Sequence, residues 1–212
     1  EIPLCDWSSD VCSSDLLKEQ NLHKQIVNRL LEPFQRMKTV LTATEFDNFF
    51  KLRLATDAQP EIQELARCMK EAMGKNIPEI LKEGEWHTPY VNHFRGSNGD
   101  AELMYIVDNV GVSLEDALSV STSCCAQVSY RSIDNSYNKA MDVYTKLGLN
   151  TEYAHLSPTE HQGTPIPKNM WTTYGCEMIY WVEGITHVDK NCNLWSGNFD
   201  GWIQHRQLIE LK

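Results

Sequence analysis

The sequence predicts an α+β fold, and two kinds of pattern in its 212 residues support this. Apolar side chains recur at helical spacing in residues 17–34, from 113 up to the segment 124–130, and in 135–147, which predicts three amphipathic helices. Segments 38–43 and 170–182 are β-branched or alternate between apolar and polar residues, which predicts strands or a hairpin. Hydrophobic residues make up 42% of the chain, enough for a domain with its own core.

Two further helices are expected on either side of a short polar turn. Thr44 is the expected N-cap of the first, with Asp47 three residues on, as in a capping box. The second should begin near Asp57, carry Pro60 in its first turn, where a missing N–H is tolerated, and end at Gly74. Its apolar positions form one stripe that we expect to be buried: Ile62, Leu65, Ala66, Met69 and Met73.

Later boundaries are marked by single residues. Ser113 is expected to cap the helix that runs up to the segment 124–130, with Asp116 at the third helical position, and Gly148 is expected to stop the next helix. A weak helix is expected over residues 78–82. Near the end of the chain, Gly197 and Gly201 predict close approach of backbone segments, while Trp202 and Arg206 could either stack on a ring or close the core.

Charge and hydropathy narrow the classes of function. The net charge of −10 argues against a nucleic-acid-binding protein, which needs a positive surface. An anionic substrate would therefore depend on a few locally placed arginines. No apolar run is long enough for a membrane helix, and the first residues lack the features of a signal peptide, so we expect a cytoplasmic protein without membrane contact.

Cysteines and histidines give no complete metal site. The seven cysteines contain no CxxC pair, and we expect mostly free thiols in a reducing compartment. His155 and His161, or His187 and Cys192, could each supply only part of a ligand set, so no metal is expected.

Residues 6–16 differ from the rest of the chain. They read Asp-Trp-Ser-Ser-Asp-Val-Cys-Ser-Ser-Asp-Leu, an imperfect tandem repeat without helical period or positive charge. The string resembles a translated sequencing adapter, and a disordered polar N-terminus is the alternative. We therefore expect residues 1–16 to be non-native and residues 17–212 to form a single domain that is incomplete at its N-terminus.

Three segments carry a resemblance to a known family. Asn48-Phe-Phe-Lys-Leu-Arg53, followed by Ala-Gln-Pro-Glu-Ile at 58–62, resembles the N-F-x-x-L-R…A-Q-x-E-I segment of flavin-dependent thymidylate synthases. Residues 155–161 resemble that family's H-x-[ST]-P-F-E-H loop, with Thr159 in place of phenylalanine. Residues 126–130 resemble its A-R-V-S-Y stretch, with Gln127 in place of arginine.

The resemblance implies both a fold and an activity. The family has a mixed sheet with packed helices and converts dUMP to dTMP, with methylenetetrahydrofolate as carbon donor, NADPH as reductant and FAD as hydride relay. It builds its sites between subunits of a homotetramer. By match of motif, Arg29 and Arg53 would bind dUMP, and Arg53 would also be catalytic. The implied FAD and folate contacts are Asn48, Asp57, His155, Ser157 and Glu160.

Other interpretations remain open beside this one. From the residues alone, Arg53 is a surface charge at a helix end and Arg29 an exposed helix arginine. The segment order fits a long, phage- and bacterium-type branch, whose R-H-R-x-x-S signature is not found in the chain. We therefore expect this chain alone to be inactive. The alternatives are an inactive flavin- or nucleotide-binding remnant of the same fold, and a plain structural domain.

Overall fold

The computed structural model describes residues 38–96, 102–128, 133–149, 151–152, 154–167, 173–174, 177–178 and 182–209. All of these except Lys38 belong to one compact unit, Thr39–Lys212. The adapter-like segment 6–16 and the predicted helix 17–34, which carries Arg29, lie outside the described residues. Within the described ranges, no helix has the length and apolar character needed to cross a membrane.

The first two helices form a hairpin whose boundaries differ from the prediction. Helix α1 spans Asp47–Arg53 and has Phe46 as its N-cap, without a side-chain cap. The predicted cap at Thr44 is wrong because its hydroxyl is used elsewhere: Thr44 Oγ1 accepts a hydrogen bond from the Asp200 N–H at 2.8 Å. Helix α2 spans Pro60–Lys75, so it begins at the expected proline rather than near Asp57 and passes through Gly74.

The apolar stripe of α2 is not buried as predicted. Ala66 is fully buried, whereas Leu65 is 52% exposed and Met73 is 47% exposed. The contacts with α1 and the turn are made by the adjoining face, where Gln63 Nε2 donates to the Ala55 carbonyl at 2.7 Å. The prediction failed because helical periodicity identifies an apolar face without identifying what covers it.

Two short elements predicted from sequence are absent. Residues 38–46 contain no strand, and residues 77–82 contain no helix. Around the second segment, polar groups form specific contacts instead of helical ones. Glu79 Oε2 lies 3.0 Å from His93 Nδ1, and the Lys82 N–H donates to Glu85 Oε2 at 2.6 Å. These contacts favour an irregular backbone over a helix.

A three-stranded antiparallel sheet packs against the central helix. Strands β1 (Asn92–Arg95), β2 (Leu103–Val107) and β3 (Val110–Val112) pair in that order. The inward side chains of β2 pack on helix α3 (Leu114–Ala126) to form the main core. Its buried members are Trp86, Val91, Leu103, Tyr105, Val107, Ala117, Val120, Cys124 and Ala140.

The predicted cap at Ser113 and the predicted stop at Gly148 are confirmed, whereas the second of these helices begins two residues later than expected. Ser113 caps α3: its Oγ accepts from the Asp116 N–H at 3.1 Å and donates to the Asp116 carboxylate at 2.9 Å. Helix α4 spans Tyr137–Leu147 and packs on α3. It ends at Gly148, which has the left-handed φ of 61° typical of a helix-terminating glycine.

Short strands complete the fold. A 3-10 helix, Ser157–Glu160, leads into β4 (Gly163–Pro165), and β5 (Thr173–Tyr174) pairs with β6 (Glu177–Met178) as the hairpin expected within residues 170–182. Strands β7 (His187–Val188), β8 (Leu194–Ser196) and β9 (Phe199–Asp200) form a second antiparallel sheet. Strand β10 (Trp202–Gln204) pairs with β4, and a 3-10 helix, His205–Leu208, follows.

This combination of helices and small antiparallel sheets confirms the α+β class. All strand pairings within the described residues are antiparallel. The single mixed sheet implied by the family resemblance therefore stays a prediction.

Candidate functional site

The loop of residues 155–162 is held from beneath by buried polar side chains. Thr159 is fully buried, and its hydroxyl donates to the Leu156 carbonyl at 2.6 Å. Gln162 is also fully buried, and its Nε2 donates to Ser121 Oγ on α3 at 2.9 Å. From β10, Gln204 Nε2 donates to the Glu160 carbonyl at 2.9 Å. These bonds position the loop and leave other side chains of the loop facing solvent.

His155 and Ser157 line one open cleft of about 450 Å³. Its apolar floor comes from α3, α4 and Pro158, and α4 also contributes Lys139 and Lys146 to the lining. Both lysines flank one carboxylate, since Asp142 Oδ2 lies 2.8 Å from Lys146 Nζ and 3.6 Å from Lys139 Nζ. The hydrogen bond from Lys146 lowers the pKa of Asp142, so this carboxylate is ionised at neutral pH. Its single negative charge balances only one of the two lysine charges.

A second cavity, of about 300 Å³, lies where four distant segments meet. Its lining residues are Thr42, Ala43, Thr44, His87, Gly163, Phe199 and Trp202. None of these described lining residues carries a carboxylate, ammonium or guanidinium group. Burial lowers the pKa of His87, and the neighbouring His93 and His161 lower it further. The cavity is therefore an uncharged, partly aromatic site at neutral pH.

The cavity and the loop share a hydrogen bond. Thr42 Oγ1 and His161 Nδ1 lie 3.2 Å apart, which ties the segment before α1 to the end of the loop. Burial lowers the pKa of His161 as well. Gly163 is required by packing, because a Cβ there would lie 2.9 Å from the Phe199 ring.

The remaining predicted site residues are not brought into the cleft. Asn48 and Arg53 are exposed in the first and last turns of α1, and Asp57 is exposed in the turn before α2. Arg53 thus lies at the C-terminal end of α1, where the helix dipole favours a cation, rather than at a helix N-terminus. Glu160 Oε1 lies 4.0 Å from Arg206 Nε.

The structure therefore groups the predicted site residues in three places. His155 and Ser157 share the cleft, and Glu160 faces Arg206. Asn48, Arg53 and Asp57 lie on the α1 hairpin, and no hydrogen bond or ion pair joins them to the loop within the described ranges.

Several lining residues were missed by sequence reasoning. Lys139 and Lys146 are exposed positions of an amphipathic helix and look like ordinary surface charges. His87 lies in no recognisable motif of the sequence, and the cavity that it lines is formed only by long-range contacts. For Trp202 the sequence left two interpretations open, stacking on a ring or closing the core. The structure places this residue in the lining of the second cavity.

Cysteines and metal ligands add no chemistry to these sites. Burial raises the pKa of Cys124 to about 11 and that of Cys125 to about 12, so both thiols stay protonated at neutral pH and are poor nucleophiles. Cys68, Cys124 and Cys125 are free as expected, whereas Cys192 is disulfide-bonded. The described residues contain no group of three or more ligands suited to a metal ion.

No family model, curated protein or solved structure matches this chain.

Proposed function

We propose that this chain is part of a flavin-dependent thymidylate synthase. The whole enzyme would methylate dUMP to dTMP, with methylenetetrahydrofolate as carbon donor and NADPH-reduced FAD as hydride source. The observation that carries the proposal is the cleft, where His155 and Ser157 of the family-like loop lie beside Lys139 and Lys146. A chain with a net charge of −10 thus has a local cationic cleft next to the residues expected to bind FAD.

The residues of the cleft fit the anionic part of FAD. Two ammonium groups and a serine hydroxyl can donate hydrogen bonds to diphosphate oxygens, and the apolar floor can cover an adjoining ring. The second cavity, lined by Phe199, Trp202 and neutral His87, suits an uncharged ring of the cofactor or substrate. FAD would supply the hydride chemistry, while the protein's share is binding and orientation.

Arg29 and Arg53 are proposed to bind dUMP. Guanidinium groups grip phosphate oxygens in pairs, whereas lysine offers a point charge. In the intact enzyme, Arg53→Lys should raise the KM for dUMP. An unchanged KM would remove Arg53 from the substrate site. The other proposed cofactor contacts are Asn48, Asp57 and Glu160.

Flavin titration tests the cleft assignment directly. FAD should bind the purified chain and give the flavin absorbance band near ~450 nm after gel filtration. The double change Lys139→Ala and Lys146→Ala should weaken FAD binding about a hundredfold or more, since each of the two lost charge-assisted bonds is worth roughly 1.5–3 kcal/mol. Arg67→Ala is the matched control, because Arg67 is ion-paired one helical turn from Glu71 as Lys146 is from Asp142.

Turnover requires a second experiment on the full-length gene product. Tritium release from 5-tritiated dUMP should depend on FAD, NADPH and methylenetetrahydrofolate. The 212-residue chain should show none, because the family's signature segment is not part of it. An intact protein that binds no flavin and releases no tritium would overturn the proposal.

An inactive flavin- or nucleotide-binding remnant is the second candidate. It is favoured by Thr159 and Gln127, the two positions where this chain differs from the family motifs. Both side chains form hydrogen bonds within the fold. Thr159 bonds the Leu156 carbonyl, and Gln127 Oε1 accepts from the Asp134 N–H at 3.3 Å. Flavin binding without tritium release from the full-length protein would select this candidate.

The resemblance also implies a homotetramer in the cytoplasm, with sites shared between subunits. The exposed apolar side chains of α2 support self-association. Sedimentation velocity on the full-length protein tests the assembly.

A further inference from the structure

Helix α2 presents an apolar face that the described residues cover only in part, since Ile62 and Met69 are half-buried. Leu65 and Met73 are 52% and 47% exposed, and Ala72 is exposed beside them. Residues Ile62, Leu65, Met69 and Ala72 follow the alternating three- and four-residue spacing of a helix–helix seam. Soluble monomers rarely leave contiguous apolar surface of this kind in water.

The contacts of α1 lie on a different side of α2. Gln63 bonds the Ala55 carbonyl, and Lys70 Nζ lies 5.9 Å above the Phe50 ring. At 3.6 residues per turn, Gln63 and Lys70 are separated from Leu65 by roughly 140° or more around the helix axis. The hairpin can therefore form while it leaves Leu65 and Ala72 exposed, and a further partner can reach that part of the seam.

The polar row that flanks the seam is complementary to itself. Glu61, Cys68 and Lys75 occupy equivalent positions one heptad apart, on the side of the seam away from Gln63. An antiparallel copy of α2 would place Glu61 opposite Lys75 of that copy at both ends and bring the two Cys68 residues together at the centre. In a parallel copy the equivalent positions would lie on opposite sides of the seam, so no Glu61–Lys75 pair could form.

We propose that two copies of this chain pair through α2 in antiparallel orientation. The seam of Ile62, Leu65, Met69 and Ala72 is buried between the two helices, and the Glu61–Lys75 pairs fix their direction. This inference adds to the self-association proposed above the helix through which two copies pair and the direction in which they pair. It is carried by the helix itself and does not depend on flavin chemistry.

Sedimentation equilibrium of the whole chain tests the pairing. The parent should show a concentration-dependent mass twice that of the chain, and Leu65→Asp should return the monomer mass. Val110→Asp is the matched control, because Val110 is 63% exposed on the β2–β3 hairpin, away from α2 in sequence. Circular dichroism checks that each variant is folded, and FAD absorbance is read separately. A parent that is monomeric at all concentrations overturns the pairing, whether or not FAD binds.

Charge reversal and cross-linking test the orientation. Glu61→Lys should weaken the dimer several-fold, and adding Lys75→Glu should restore it. Failure of the double variant to recover would refute the antiparallel arrangement. A short bismaleimide should join the two Cys68 thiols and give a covalent dimer, which Cys68→Ser should abolish. Cross-linking that persists in Cys68→Ser, or is absent from the parent, would equally refute it.

Discussion

Acidification should destabilise the protein through His205. Its ring packs edge-on against buried Trp86, with centroids 5.8 Å apart, and its Nδ1 is buried without a hydrogen-bond partner among the described residues. Burial lowers the pKa of His205 from 6.5 to about 4. The folded state therefore holds the neutral ring, whereas the unfolded chain gains a proton below about pH 6.5.

The loss of stability follows from this difference in bound protons. Between about pH 6.5 and pH 4 the unfolded state binds the extra proton, so the free energy of unfolding falls as pH falls. One proton is worth about 1.4 kcal/mol per pH unit, so His205 should lower the free energy of unfolding by about 2 kcal/mol from about pH 6.5 to pH 5. Burial also lowers the pKa values of His87 and His161, which steepens the total dependence in the same direction.

Urea unfolding of His205→Phe isolates this contribution. Phenylalanine keeps a planar ring against Trp86 and cannot be protonated, so the variant should lose about 2 kcal/mol less than the parent over the same pH interval. His155→Phe is the matched control, because it makes the same exchange at an exposed position. Equal pH dependence in the parent and His205→Phe would refute the assignment.

Three further substitutions test the packing that supports the site. Gly197→Ala should lower the free energy of unfolding by about 1–3 kcal/mol, because Gly197 has a φ of 60° and a Cβ there would collide with the buried Gln204 amide. Gly111→Ala is its control in the same thermal melts. A Cβ at Gly111 meets nothing within 4 Å, so the loss should be less than about 1 kcal/mol. Gln127→Leu should cost about 2–4 kcal/mol by urea unfolding, since the N–H and C=O of Asp134 both lose their partner. Ser113→Ala should cost about 1 kcal/mol in urea unfolding through loss of the N-cap bond. Unchanged stability in any of the three would contradict its stated cause.

Features that depend on neighbouring residues were predictable from the sequence. The Ser113 cap and the Gly148 stop each rest on contacts within a few residues, and both were found where expected. Gly197 has the left-handed backbone that favours glycine, but the group that approaches it is the Gln204 side-chain amide and not the predicted backbone segment. Such positions are determined by residues close by in the sequence and do not require a tertiary contact.

Features that depend on distant partners were not predictable. Thr44 has the sequence of a helix cap, but its hydroxyl bonds the Asp200 N–H, 156 positions away. The stripe on α2 has the period of a buried face, and burial depends on a partner that the pattern cannot name. The same distinction applies to the candidate site. His155 and Ser157 were predicted from a local motif. Lys139 and Lys146 join them only through the packing of α4 on α3, which the sequence does not reveal.

The charges beside the cleft, those of Lys139, Lys146 and Asp142, limit the kind of ligand that it can bind. In a chain with a net charge of −10, long-range electrostatics repel anions, so any anionic ligand must be held by short-range contacts. Asp142 keeps the two lysines near the cleft mouth, and bound oxyanions would have to compete with it for the Lys146 ammonium group. Such competition favours a ligand with several negative charges and an apolar ring over a single small anion. The dinucleotide cofactor proposed above would meet both conditions, since it carries a diphosphate and a planar ring.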